Sequence, residues 1–167
     1  MHLLVVRHAI AGDRDKFAAS GQDDSLRPVT AAGAKKMQRG ARGLRWVIPS
    51  IDLLAASPLT RAAETAEILR AEYGLDSVVT VPELAPERPV EEVAGWLATT
   101  SEDVVAIVGH EPQLGRLVGF LIGVGDGTAV ELKKGAACLL DVPRGAARAS
   151  AQLLWAAPPR LLRRLRR

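Results

Sequence analysis

The sequence predicts an α/β protein, a three-layer α/β/α sandwich around a mostly parallel central sheet. Two observations carry this reading. Residues 2–7 (HLLVVR), 51–57 (IDLLAAS) and 103–109 (DVVAIVG) are short, nearly uninterrupted apolar runs, as expected of strands buried on both faces. Between them lie segments of helical period. Repeated strand–helix units build a parallel sheet with helices on both sides, because each crossover must return over one face.

The first strand, 2–7, ends in Arg7 and delivers His8 at its tip. Residues 10–28 are polar, rich in Gly and Asp, and read as loop. Thr30 is placed as the N-cap of a helix over 31–47, where Ala34, Met37, Ala41 and Leu44 share one face despite Gly33, Gly40 and Gly43. The second strand, 51–57, gives way at Pro58 to a helix ended by Gly74. SVVTV (77–81) is a short third strand, and 89–99 is a helix with Val90, Val93, Trp96 and Leu97 on one side. The fourth strand, 103–109, leads into a helix over 112–122. GVGDGT (123–128) is read as a turn, AVELKKG (129–135) and AACLLDV (136–142) as a hairpin, SAQLLWA (150–156) as the last strand, and the tail as a terminal helix. Leu161, Leu162 and Leu165 of that helix are expected to pack inward. No repeat or linker divides the chain, so residues 1–167 are expected to form one domain, with 158–167 as an Arg-rich tail.

Composition narrows the function classes. Apolar residues make up 48% and charged residues 25%, as in a globular protein able to bury a core. Aromatic residues are only 4%, which argues against a base-stacking nucleic-acid module. The formal net charge of +3 is uneven: Arg160, Arg163, Arg164, Arg166 and Arg167 crowd the tail, and without them the balance turns slightly acidic. The body is therefore no nucleic-acid binder, while the tail suits an acidic partner or a solvated face. The one cysteine, Cys138, cannot form an intrachain disulfide and fits a reducing cytoplasm. No secretory leader or membrane-spanning stretch is read in the chain.

In doubly wound sheets the ligand site lies at the carboxyl ends of the strands. Here those ends are alike. The first carries Arg7 and His8, the second leads through Ser57-Pro58-Leu59-Thr60 to Arg61, and the fourth ends in Gly109-His110-Glu111-Pro112. Parallel strands bring these side chains to one edge, with helix N-termini adding backbone donors. Two arginines and two histidines repel one another unless an anion joins them. A phosphoryl group fits, because guanidinium forks match its oxygens. A neutral imidazole beside it could attack phosphorus, and a second, protonated one could steady the developing charge.

Arg7-His8-Ala9, Ser57-Pro58-Leu59-Thr60-Arg61-Ala62-Ala63-Glu64-Thr65-Ala66 and Val108-Gly109-His110-Glu111-Pro112 resemble, in order, the three motifs of the histidine phosphatase superfamily, the phosphoglycerate-mutase-like fold. The short chain, Asp24-Ser25-Leu26-Arg27-Pro28-Val29-Thr30 and Pro82-Glu83-Leu84-Ala85-Pro86 look like its SixA-type phosphohistidine phosphatases. The resemblance covers nearly the whole chain. It implies that His8 is the phosphorylated nucleophile, that Arg7 and Arg61 hold the phosphate, and that His110 is the second pocket histidine. It implies no cofactor. Ala9 stands where the family commonly has glycine, which adds only a methyl. Many members also place a catalytic glutamate after the third strand; here Leu84 is followed by Ala85 and Pro86, with Glu83 and Glu87 flanking the position. A missing general acid suits a phosphoramidate better than an alkyl ester, since an imidazole departs neutral once protonated.

Other residues have plainer readings. His2 lies early in its strand and is structural. No ligand-spaced pair suggests zinc, and the arginines would repel a cation, so no metal is expected. GVGDGT lacks the lysine of a P-loop. Arg27 either approaches the pocket or is a solvated loop residue. Glu64 is read as an i,i+3 partner of Arg61. Glu83 is a candidate acid. Trp46, Trp96 and Trp155 are expected in or at the edge of the core. The expected activity is hydrolysis through phospho-His8, with a histidine-phosphorylated protein as substrate; the alternatives are a small phosphorylated metabolite and a phosphate-binding module without turnover.

Overall fold

A computed structural model describes residues 1–124, 128 and 130–165. Strand β1 spans His2–Arg7 and is followed by a short helix α1, Arg14–Ala18, and a 3-10 turn at Asp24–Leu26. Helix α2 (Ala31–Val47), β2 (Leu53–Ala56), α3 (Thr60–Tyr73) and β3 (Val79–Thr80) come next. Then follow α4 (Val90–Ala98), β4 (Val104–Gly109), α5 (Gln113–Ile122), β5 (Ala137–Asp141), β6 (Gln152–Ala157) and α6 (Pro159–Leu162). The strands form one sheet in the order β3-β2-β4-β1-β5-β6. The first four of these are parallel, while β5 runs antiparallel to β1 and β6 antiparallel to β5.

Alternation along the strands builds two cores. Leu3 and Val5 of β1, with Val105 and Ile107 of β4, face α4 and α5 through Val93, Leu97, Leu114 and Leu117. Leu4, Val6, Ala106 and Val108 face the other way, onto Met37, Ala41 and Leu44 of α2 and Ala62, Ala66 and Leu69 of α3. The result is the expected three layers. Register then sets the site: Arg7 pairs with Gly109 and Ala56 with Val108, so β1, β2 and β4 end side by side. The His8 N–H donates to the Gly109 carbonyl (3.0 Å) and the Ser57 N–H to that of Val108 (2.9 Å), which holds the residues just past the ends in line.

Several local expectations are corrected. Residues 10–28 are not all loop, because Asp13 accepts from the Lys16 N–H to cap α1 and Asp23 accepts from Ser25 to start the 3-10 turn. The segment 77–81 shrinks to a two-residue, solvent-exposed edge strand. The hairpin pairs β5 with β6 rather than with AVELKKG; residues 130–135 instead form a loop over the strand ends, and Ala129 and residues 125–127 of the expected turn lie outside the described residues. The tail begins as a helix, but α6 is one turn long, and Arg166 and Arg167 lie outside the described residues. Leu162 is fully buried against α2, Leu165 packs at the same core, and Leu161 is 48% exposed. Trp46 is 56% exposed and belongs to the surface.

The α2–α6 contact depends on one missing methylene. A Cβ on Gly43 would lie 1.8 Å from the Leu162 carbonyl oxygen. Gly43→Ala is therefore expected to cost about 1–3 kcal/mol by overpacking or to lift the C-terminal turn off α2. Urea unfolding together with proteolytic clipping after Pro158 would read both; an unchanged midpoint and clipping rate would show that α6 is not held there.

Candidate active site

The cleft over the carboxyl ends of β1, β2 and β4 has a volume of about 560 Å³ and is lined by Arg7, His8, Arg27, Arg61, His110 and Lys134, among others. The structure thus gathers the four residues singled out at the strand ends and adds Arg27. Glu83 is not among the lining residues; its backbone carbonyl instead accepts from the buried Gln113 side chain (2.8 Å), and the cleft wall at this point is Pro86.

His8 is nearly buried, and its Nδ1 lies 2.7 Å from the carbonyl oxygen of Ala9. A carbonyl only accepts, so Nδ1 carries the hydrogen and Nε2 keeps its lone pair. The Ala9 backbone is itself pinned, its N–H donating to Thr65 Oγ1 (2.9 Å), whose hydroxyl donates to the Arg61 carbonyl (2.6 Å). One chain of hydrogen bonds therefore ties the His8 ring to the first turn of α3 that carries Arg61. The methyl of Ala9 is buried without disturbing it.

His110 faces His8 with ring centroids 5.1 Å apart. Its Nε2 lies 2.9 Å from Ser57 Oγ, and its Nδ1 is buried without a partner. Ser57 Oγ also accepts from the Leu59 N–H (3.4 Å). When the Ser57 hydroxyl donates to Nε2, the ring hydrogen sits on Nδ1, the nitrogen with nothing yet to bond.

The arginines are held by backbone carbonyls. Arg7 Nη1 donates to the Leu132 carbonyl (2.7 Å), and Arg61 Nη1 to that of Asp24 (2.8 Å). Arg27, buried rather than solvated, donates from Nε to Asp24 Oδ1 (2.8 Å) and from Nη1 to the Gly12 carbonyl (2.8 Å). Asp24 Oδ2 also approaches Arg61 Nη2 (3.2 Å). The Arg27 hydrogen bond, with the charges of Arg61 and Arg27, holds the Asp24 carboxyl below the usual range, so it stays ionised. Nε of Arg7 and Nε of Arg61 are buried and unpartnered, like His110 Nδ1. Three polar nitrogens without an internal partner, all on residues of one cleft, are donors suited to an anion.

Three cleft features lay outside the strand-end argument. Glu111 accepts from the Leu132 N–H through Oε1 (2.8 Å) and from the Gly115 N–H through Oε2 (3.1 Å), so it braces the backbone of the residue whose carbonyl holds Arg7. Lys134 reaches the cleft from the same loop, which the alternation of AVELKKG disguised as a strand. Glu64 does not pair with Arg61; its Oε2 accepts from the Val29 N–H (2.6 Å) and fixes the loop behind Arg27. Glu111 and Ser57 were within the quoted motifs, but nothing in a motif shows which backbone group a side chain meets.

Among the described residues no group of three or more His, Cys, Asp or Glu could hold a metal ion, and no helix is long and apolar enough to cross a membrane. The arrangement presents guanidinium and imidazole donors of the kind an oxyanion needs and sets a ring nitrogen with a free lone pair beside them.

Residues 3–95 match the family model of the histidine phosphatase superfamily, branch 1, a span that includes Arg7, His8, Arg27 and Arg61. The chain belongs to that superfamily. Over 125 residues it is 35% identical to the phosphohistidine phosphatase SixA of Escherichia coli, covering 72% of this chain and 74% of that protein. An uncharacterised protein of Picosynechococcus sp. is 33% identical over 155 residues, 90% of each. The structure of a protein histidine phosphatase SixA complexed with tungstate superposes with a TM-score of 0.82, covering 95% of this chain and 97% of that one at 24% identity. Within the superfamily, the chain is of the SixA type.

Electrostatics bears on the protonation of both rings in the free cleft. Burial first, then the charges of Arg61, Arg7 and Lys134, pushes the His8 imidazole down to about 4, against the opposing pull of the Ala9 carbonyl. Burial, then His8 and the two arginines, pushes His110 down to about 3. Both shifts favour neutral rings in the free cleft, and the protonated second histidine expected from the sequence concerns the cleft with its anion bound.

Two outcomes follow. An unfolded histidine takes up its proton near pH 6.5, whereas both folded rings stay neutral down to about 4. Between these values the unfolded chain binds more protons, so stability falls as pH falls. Urea unfolding between pH 7 and pH 4.5 should show a loss approaching about 1.4 kcal/mol per pH unit for each ring, and the pair His8→Asn, His110→Asn should flatten it; equal slopes in both proteins would refute the neutral-ring account. Second, Glu111→Ala should loosen Leu132 and weaken inorganic phosphate binding by about tenfold, with Glu111→Gln intermediate because it keeps one acceptor. Calorimetric titration with phosphate would check that order.

Proposed function

We propose that the protein is a phosphohistidine phosphatase that acts on a histidine-phosphorylated protein through a phospho-His8 intermediate, with His8, Arg7, Arg61 and His110 as its catalytic and phosphate-binding residues. The observation that carries this reading is the His8 Nδ1–H bond to the Ala9 carbonyl. It aims a neutral Nε2 lone pair at a phosphoryl group held by Arg7 and Arg61. In the first step the His8 Nε2–P bond forms as the substrate's P–N bond breaks. The substrate imidazole, protonated on its distal nitrogen, departs neutral.

Phospho-His8 is then itself an imidazolium, since Nδ1 keeps its proton on Ala9. In the second step water forms a bond to phosphorus and the Nε2–P bond breaks. The water proton leaves with the product phosphate or to solvent, and His8 again departs as a neutral ring. Nucleophile and leaving group are the same kind of ring in both steps, so neither requires a separate acid. His110 Nδ1–H and the arginines steady the phosphoryl oxygens throughout.

The cleft carboxylates support this choice of substrate. Both oxygens of Glu111 are taken by backbone N–H groups, and Asp13 caps α1. Asp24 is held ionised by arginines. None is placed to protonate the alkoxide that an alkyl phosphate would expel. The similarity to the phosphohistidine phosphatase SixA of Escherichia coli points the same way.

Phosphate release should be compared on a histidine-phosphorylated phosphotransfer protein and on an aryl phosphate, with EDTA present. The expected result is rapid release from phosphohistidine, slower release from the aryl ester, no effect of EDTA, and a loss of at least about 10³-fold in His8→Ala. Faster aryl hydrolysis would move the substrate to a metabolite. Bound phosphate without turnover on either would leave a binding module.

A further inference from the structure

The cleft does not end at the phosphate site. Lys134 of the cleft rim also lines, with Ala9, a narrow depression that runs past Lys36 to Arg163. Arg163 in turn lines a groove of about 600 Å³ with Arg39, Arg42, Arg45 and Trp46. Lys36, Arg39 and Arg42 lie at i, i+3 and i+6 on α2, with Trp46 one turn further, and all four are exposed. They form a single stripe about 15 Å long at 1.5 Å per residue. Docking of Leu162 onto Gly43 brings Arg163 beside that stripe.

The charge on this stripe is largely uncompensated. Glu72 is the acid in the groove, and it is already engaged: its carboxylate meets Arg42 (3.6 Å) and its carbonyl accepts from Arg45 (2.8 Å). Among the described residues no carboxylate pairs with Lys36, Arg39 or Arg163. The groove also offers Trp46 and Leu165, the mixture of aromatic anchor and cationic rim that protein interfaces use.

We infer that this track, from Lys134 through Lys36, Arg39 and Arg163 to Trp46, docks an acidic surface of the phosphoprotein substrate while its phosphohistidine occupies the cleft. The inference rests on the function proposed above and adds the recognition surface. The track is too long for a small metabolite, and it reaches the cleft from one side only. A protein that presents a phosphorylated side chain next to an acidic face spans both. Electrostatic complementarity of this kind acts mainly on association rate.

The test is Lys36→Glu combined with Arg39→Glu, two exposed positions outside the phosphate site. Measured against the full-length protein, kcat/KM on an acidic histidine-phosphorylated phosphotransfer protein should fall at least about tenfold and lose most of its salt dependence, while kcat/KM on an aryl phosphate stays unchanged. Trp46→Ala should give a smaller loss on the phosphoprotein alone. Equal loss on both substrates would mean a disturbed cleft and would overturn the docking role. Unchanged phosphoprotein kinetics would do the same while leaving the phosphohistidine reading intact. If the wild-type protein fails on phosphoprotein but cleaves the aryl ester, the function proposed above fails first and the docking inference with it. Unchanged kinetics with loss of binding to phosphatidylserine vesicles or to a single-stranded oligonucleotide would reassign the stripe to that partner.

Discussion

Arg7, Arg61 and Arg27 point their positive charge into a cleft that also holds two imidazoles, and the molecule is arranged around that repulsion. Three devices make it tolerable. Backbone carbonyls of Leu132, Asp24 and Gly12 accept from the guanidinium groups without adding full charge. One carboxylate, Asp24, bridges Arg27 and Arg61. The two histidines give up their protons because burial and the same arginines disfavour a further cation. What is left unmet is directional: Nε of each strand-end arginine and Nδ1 of His110. A phosphoryl group bound as proposed would offer these nitrogens acceptors and offset the repulsion at the same time.

This constraint explains the elaborate bracing of small features. The Ala9 peptide has to stay fixed, or the His8 tautomer is lost, and Thr65 fixes it. Glu111 likewise fixes the Leu132 backbone whose carbonyl holds Arg7. Both braces reach across more than one element, from α3 to the end of β1 and from the end of β4 to the loop before β5. They tie the His8 ring and the Arg7 guanidinium to neighbouring elements.

The sheet was legible because its strands are apolar on both faces, and HLLVVR, IDLLAAS and DVVAIVG have no other use for such residues. The site was legible because parallel register lines up strand ends, so Arg7, His8, Arg61 and His110 converge whatever the loops do. Two failures share one cause: side chains whose partners are backbone groups far away in sequence. AVELKKG alternates like a strand, yet Leu132 gives its N–H to Glu111 and its carbonyl to Arg7 instead of to a neighbouring strand. Glu64 has a suitable charge partner one turn away and still prefers the Val29 N–H, 35 residues distant. Asp13 and Asp23 turn a polar stretch into short helical turns through caps that polar composition conceals. Trp46 read as core by residue type, but its helix reserves the inward face for Met37, Ala41 and Leu44.

The loop before β5 also joins the chemistry to the outer surface. Leu132 and Lys134 are two residues apart. The first holds Arg7 inside the cleft, and the second stands at its rim and at the head of the α2 stripe. The carboxylates of the cleft, Asp13, Asp24 and Glu111, are each committed to an internal partner, so they offer an approaching anion little repulsion that is not already screened. Cationic side chains line the approach to the cleft on the Lys36–Lys134 side. An acidic partner entering by that side meets mobile surface cations first and rigid, backbone-held arginines last. On the proposed reading the early contacts raise the encounter rate, while the late ones supply the orientation that transfer to His8 Nε2 would require.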